Sequence, residues 1–108
     1  MSSNNDVICR KSIKQIMNIL GGKWSFVIIE ELCSGTKHFN EMNKNLGIST
    51  KALSDALKNL EANGIITRTV YSTSPVTIEY ALTEKGRDFD RVFFAMSEWG
   101  MKWLRENV

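Results

Sequence analysis

Among 108 residues there is one histidine, one proline and a pair of cysteines, and each scarcity closes off a class of chemistry. The lone His38 has no cysteine, second histidine or acid at ligand spacing, so no metal site is expected. One histidine also gives no basis for a Ser/His/Asp arrangement, and Gly21-Gly22 lacks any phosphate-loop context. Neither an enzyme nor a cofactor-binding protein is expected. Cys9 and Cys33 are too few for a disulfide framework, which points to a reducing, cytoplasmic setting. No apolar run reaches membrane-spanning length. The polar start Met1-Ser-Ser-Asn-Asn-Asp6, with no apolar run after it, gives no sign of a secretory leader. Charge is nearly balanced at +2, which permits a nucleic-acid partner without arguing for one. Internal repeats and low-complexity segments are absent.

What is present is a globular composition, 43% hydrophobic and 24% charged, at the size of one domain. The expected organisation is a flexible tail over residues 1–8 and a single domain over 9–108. The most organised stretch runs from His38 to Leu82. It reads as a short helix, a Gly47 turn, a second helix to Asn63, and β-type runs at 65–71 and 76–82 around Pro75. Helix, tight turn, helix and ribbon make a winged helix-turn-helix, in an α+β, mostly α chain. Ser49 is placed to N-cap the second helix and Asn63-Gly64 to end it. Ala52, Leu53, Ala56, Leu57 and Leu60 form one apolar stripe. The opposite face carries Lys51, Ser54, Asp55, Lys58 and Asn59, short polar or cationic types that reach phosphates and base edges. Taken alone, that face reads as a solvated helix surface, since most polar faces only meet water; the ordered set of elements favours duplex DNA.

The flanking segments extend the pattern. Ser12 or a neighbour is expected to start the first helix, with Ile13, Ile16, Met17 and Leu20 on one face. Lys23 to Cys33 reads as a core helix, and Cys33 as an inert buried thiol. One long final helix is expected from about Glu84 to Glu106. Phe89, Val92, Phe93, Met96, Trp99, Trp103 and Leu104 form its stripe, with Phe94 and Met101 beside it. That is more apolar surface than one small core needs, so the last helix either is buried on two sides within the fold or meets a partner helix, and the small size of the chain favours the partner.

With these residues in view, the chain resembles the HxlR-type transcriptional regulators, within the MarR-like superfamily. The matching residues are Cys9, 20-LGGKW-24, 38-HFNEM-42, 48-IS-49, 53-LSDALKNLEANGII-66, 68-RTVY-71, Pro75, 79-EYALTEKG-86 and 98-EWG-100. The resemblance spans about residues 9 to 104. It implies a homodimer, joined through first and last helices, that binds inverted-repeat operators and represses or activates nearby genes. It also implies thiol sensing of oxidants or electrophiles at Cys9. Arg10 follows Cys9 where the family usually has proline. Independently of the resemblance, Arg10, Lys11 and Lys14 around Cys9 would favour a reactive thiolate.

The expected DNA contacts are Ser49, Thr50, Lys51, Ser54, Asp55 and Lys58 on the second helix of the motif. Arg68 would join them at the base of the wing, with Ser72, Thr73 and Ser74 at its tip. Asp55 is expected either to accept from cytosine or to orient a lysine. Lys23, Lys37 and His38 are expected at helix starts, near the flanking backbone. Alternatives are a winged-helix module that binds protein, or a regulator controlled by a small molecule rather than a thiol.

Overall fold

The computed structural model describes residues 3–104, with side chains described from Cys9 onward. Among the described residues, six helices and three strands follow one another. Helix α1 (Ser3–Ile19) starts well before Ser12, because no glycine or proline interrupts residues 3–19. Residues 1–2 of the expected tail lie outside the described residues. Helix α2 (Ser25–Cys33) follows the Gly21-Gly22 break. Strand β1 (Lys37–His38) leads into helix α3 (Phe39–Leu46). Helix α4 (Thr50–Ala62) precedes strands β2 (Ile66–Tyr71) and β3 (Thr77–Leu82). Helices α5 (Glu84–Arg87) and α6 (Asp90–Trp103) end the described chain.

The sheet is antiparallel in the order β1-β3-β2. Arg68 lies opposite Tyr80 and Thr69 opposite Glu79, while His38 meets Glu79 from the other side. Alternation on β3 points Tyr80 and Leu82 into the core; Val76 falls outside the strand and is exposed. The core draws on every layer: Ile28, Ile29 and Leu32 from α2, Met42 from α3, Leu53, Leu57 and Leu60 from α4, and Ile65 and Ile66 at the start of the wing. Each such side chain stabilises the fold by roughly 1.5–3 kcal/mol relative to exposure. The apolar stripe of α4 therefore fixes which of its faces remains outside. Val27, expected in the core with the rest of α2, is exposed.

The single final helix expected from about Glu84 is two helices. Thr83 caps α5 by accepting from the Gly86 N–H, and the Phe89 N–H turns back to the Gly86 carbonyl at 3.1 Å. This tight i→i−3 closure breaks the helix at Asp88-Phe89 and turns Phe89 and Phe93 inward, where Phe93 meets Phe26 edge-on at 5.6 Å. Residues 105–108, where the end of that helix was expected, lie outside the described residues.

Helix α6 has no fully buried residue. Trp99 is 60% exposed and Met101 66%, with Val92, Phe94, Met96, Trp103 and Leu104 open beside them. Ile13, Ile16 and Met17 are open on α1, whereas Leu20, expected on the same face, is turned into the core. The chain exposes 8029 Å². A compact chain of this size would expose about 6,100 Å². No helix among the described residues is long and apolar enough to cross a membrane.

Gly86 is the tightest approach in this framework. A Cβ there would run into the Ile65 carbonyl and crowd Leu82 Cδ2 at 3.0 Å. Gly86→Ala is expected to destabilise the fold by about 1–3 kcal/mol, the usual cost of overpacking, read as a lower denaturant midpoint at unchanged m-value. An unchanged midpoint would show that α5 moves freely off Ile65.

Candidate nucleic-acid interface

The turn between α3 and α4 sets the exposed helix. Gly47 takes a left-handed conformation (φ 61°), which lets the chain reverse sharply after Leu46. Ile48 is buried in the turn, and its carbonyl accepts from Asn43 Nδ2 at 2.7 Å. Ser49 Oγ then accepts from the Ala52 N–H at 3.2 Å, the N-cap expected of it. With the cap fixed and Leu53, Leu57 and Leu60 inside, Thr50, Lys51, Asp55 and Lys58 are exposed and Ser54 is half-buried. Lys51 Nζ pairs with Asp55 Oδ2 at 3.0 Å, the orienting role considered for Asp55. Both partners are open to solvent, so the pair contributes little to stability and leaves Lys51 able to exchange partners.

Lys58 and Arg68 line one groove together with Ser54 and Glu61, floored by Phe39, Leu57, Ile78 and Tyr80. Among the described residues neither cation has an ion-pair partner. Glu61 was not singled out from the sequence, since only the packing of α4 on the sheet brings it beside Arg68.

The other expected residues are more occupied. Lys37 is half-buried and lies 3.9 Å from Glu41. His38 precedes α3 with its N–H donating to Glu41 Oε1 at 3.3 Å, and its Nε2 lies 3.3 Å from the Glu79 carboxylate. Lys23 Nζ sits 5.2 Å from the Trp24 ring centroid. Ser72, Thr73 and Ser74 are exposed at the wing tip, where Thr73 Oγ1 donates to the Pro75 carbonyl at 2.6 Å. Asn59, grouped by sequence with the outer face of α4, is half-buried and donates to the Ile19 carbonyl instead. Among the described residues, no cluster of histidine, cysteine or acids is arranged to hold a metal ion.

Cys9 is exposed on α1. Cys33 is exposed as well, which corrects the expectation of a buried thiol. It is the last residue of α2, beyond the inward turn that carries Ile28, Ile29 and Leu32. Partial desolvation raises its pKa, and the carboxylates of Asp90 and Glu30 add to the shift. All three causes disfavour the thiolate, so Cys33 is accessible but weakly nucleophilic.

A model of the HxlR-like helix-turn-helix family matches residues 19–108. The HTH-type transcriptional regulator sll1512 of Synechocystis is 38% identical over 95 residues, covering 87% of this chain and 70% of that protein. The reduced form of the transcriptional regulator YodB from B. subtilis superposes with a TM-score of 0.80 at 35% identity, covering 90% of this chain and 96% of that one. The redox regulator HypR in its oxidised form gives a TM-score of 0.75 at 35% identity, covering 84% of this chain and 95% of that one.

The electrostatics around Cys33 have a testable consequence. In a Cys9→Ser background, alkylation of Cys33 is expected to set in at higher pH in the native protein than in the unfolded chain. Asp90→Asn is expected to move that native profile toward lower pH, because removing a nearby anion favours the thiolate. A profile unmoved by Asp90→Asn would remove Asp90 as a cause and leave desolvation and Glu30.

Proposed function

Since this chain belongs to the HxlR-like helix-turn-helix family and is a transcriptional regulator of that type, we propose that it binds inverted-repeat duplex DNA as a homodimer. The observation that carries this reading is the presence of two distinct surfaces on one small fold. One is the capped, outward face of α4 with the groove shared by Lys58 and Arg68. The other is the uncovered apolar surface of α1 and α6.

In this reading α4 enters the major groove. Thr50, Lys51, Ser54 and Asp55 face the bases, with Ser49 close to the backbone. Lys58 and Arg68 take phosphates on either side of their groove. Ser72, Thr73 and Ser74 make a weak wing contact, because the tip holds no cation. Lys23, Lys37 and His38 stand at the margin, and their existing partners make them lesser contributors. The second copy meets Ile13, Ile16 and Met17 of α1 and Val92, Met96, Trp99, Trp103 and Leu104 of α6. Phe89 and Phe93 lie underneath and support that surface from within the fold. The protein acts in the cytoplasm.

Cys9 is the proposed thiol sensor. It is exposed on α1, next to the seam. HypR is a redox regulator known in oxidised and reduced forms, and YodB is known diamide-treated and quinone-bound. A peroxide would transfer one oxygen to Cys9 Sγ to give a sulfenic acid, and a second thiol would attack that sulfur and release water to leave a disulfide. Diamide would reach the same disulfide when the second thiol displaces the reduced hydrazine from its Cys9 adduct. That thiol is the partner subunit's Cys9 or Cys33. A second reading places a small-molecule effector in the cleft of about 310 Å³ between α1 and the α5–α6 corner. Ile16, Ile19, Phe89 and Val92 give that cleft an apolar lining, with Lys85, Asp88 and Arg91 at its edge.

One titration series tests both parts. Binding of duplex DNA selected from a random pool is measured against salt for wild type, Lys58→Ala and Arg68→Ala, then repeated with diamide for wild type and Cys9→Ser. Each cation variant is expected to bind all sequences more weakly and to lower the salt slope by about one. Diamide is expected to change wild-type affinity and to leave Cys9→Ser unaffected. Slopes unchanged in both cation variants would remove this face from the interface, and an equal diamide response in Cys9→Ser would remove Cys9 as the sensor.

A further inference from the structure

The end of α1 and the middle of α4 are tied by one side chain. Asn59 Nδ2 donates to the Ile19 carbonyl at 3.0 Å, across forty positions of sequence. Ile19 is the last residue of α1, and the chain leaves through Gly21-Gly22, so this carbonyl is one of those a helix leaves without an intrahelical donor. The Asn59 amide is itself oriented. Asn63 Nδ2 donates to Asn59 Oδ1 at 3.2 Å and to the Asn59 carbonyl at 2.8 Å. With Oδ1 accepting from Asn63, the Asn59 NH₂ is the group left to face Ile19. Lys85 Nζ in turn donates to the Asn63 carbonyl at 2.7 Å, bringing α5 into the same chain of bonds. Every side chain in the α1–α4 link is partly buried, so its geometry is held by packing as well as by hydrogen bonds.

We infer that Asn59 is a positioning residue which fixes the angle of the DNA-facing helix α4 against the seam helix α1. The inference rests on the dimeric, DNA-binding reading. In a dimer joined through α1 and α6, the separation and rotation of the paired α4 helices depend on how rigidly each is held to its own α1. Two half-sites must be met about one helical turn apart, so a loosened joint is felt as reduced discrimination of spacing. The amide is one residue from Lys58 in sequence yet turned away from the outer face. It acts on DNA through the set of the helix and touches no base. Two links, α1 to α4 through Asn59 and α4 to α5 through Lys85, also give any change at the seam a direct route to the DNA face.

The test uses the full chain and a duplex selected by the wild-type protein from a random pool. Affinities are compared for that inverted repeat, for versions with the half-sites moved apart or together in single base-pair steps, and for an isolated half-site. The variants are Asn59→Ala and the isosteric Asn59→Asp, whose carboxylate cannot donate to Ile19. Both are expected to lose at least about fivefold of the wild-type spacing discrimination, the lower end of ordinary coupling between sites. Isolated half-site affinity should be kept, and amide hydrogen exchange in the last turn of α1 should quicken. A merely structural contact would lower the melting temperature without touching spacing. Spacing discrimination equal to wild type in both variants, whatever happens to melting or exchange, would overturn the inference alone. Failure of the wild type to bind any duplex would overturn the DNA-binding reading and this inference with it.

Discussion

Apart from Phe93, the large apolar side chains of α6 stand open on their own chain, and that constraint shapes the rest of the molecule. Trp99 and Met101 stand mostly in solvent, and Ile13 and Met17 of α1 do the same. Monomeric soluble proteins rarely leave so much large apolar surface together. The exposed area exceeds that of a compact chain of this length by roughly 1,900 Å², on the scale of what an obligate interface removes from each partner. Folding of the single chain therefore completes the winged-helix body and leaves the outer faces of α1 and α6 unfinished. A second copy is the occupant proposed for them, since an isologous contact brings the same pair of faces from both sides.

That arrangement gives a physical meaning to the rigidity of the body. The outer face of α4 is set by three leucines facing inward, by the Ser49 cap and by the Gly47 turn. The sheet holds Arg68 across from Tyr80 and so fixes one cation beside the helix. Asn59, Asn63 and Lys85 then run from the end of α1 across α4 to α5. The unfinished face of α1 and the proposed DNA-facing surface of α4 are thus joined by short hydrogen bonds. A thiol reaction at exposed Cys9 on α1 would act at the unfinished side of that joint.

Much of the motif was legible because its signals are local. Ser49 and Gly47 act through neighbouring backbone groups, and the α4 stripe follows from helical spacing alone. What was not legible depends on partners far away in sequence. Strand β1 has only Lys37 and His38, and it is a strand solely because Tyr80 and Glu79 lie beside it. The break before α6 is made by the turn at Gly86, whose seat against Ile65 comes from the other end of the wing. Cys33 looked buried because α2 is apolar, yet its place in the last turn leaves it outside. Asn59 looked like a reading residue because short amides do read bases, but the end of α1 claims it first.

Assembly is the claim on which the rest of the functional reading stands, because an unpaired copy has neither a covered seam nor a second α4. Sedimentation equilibrium on the wild type and on Trp99→Glu, over a range of concentrations, measures it most directly. The expected result is a wild-type dimer throughout the micromolar range. The Trp99→Glu protein, with a charge placed in the proposed seam, is expected to be a monomer or an aggregate. A well-folded wild-type monomer at micromolar concentration would contradict the proposal.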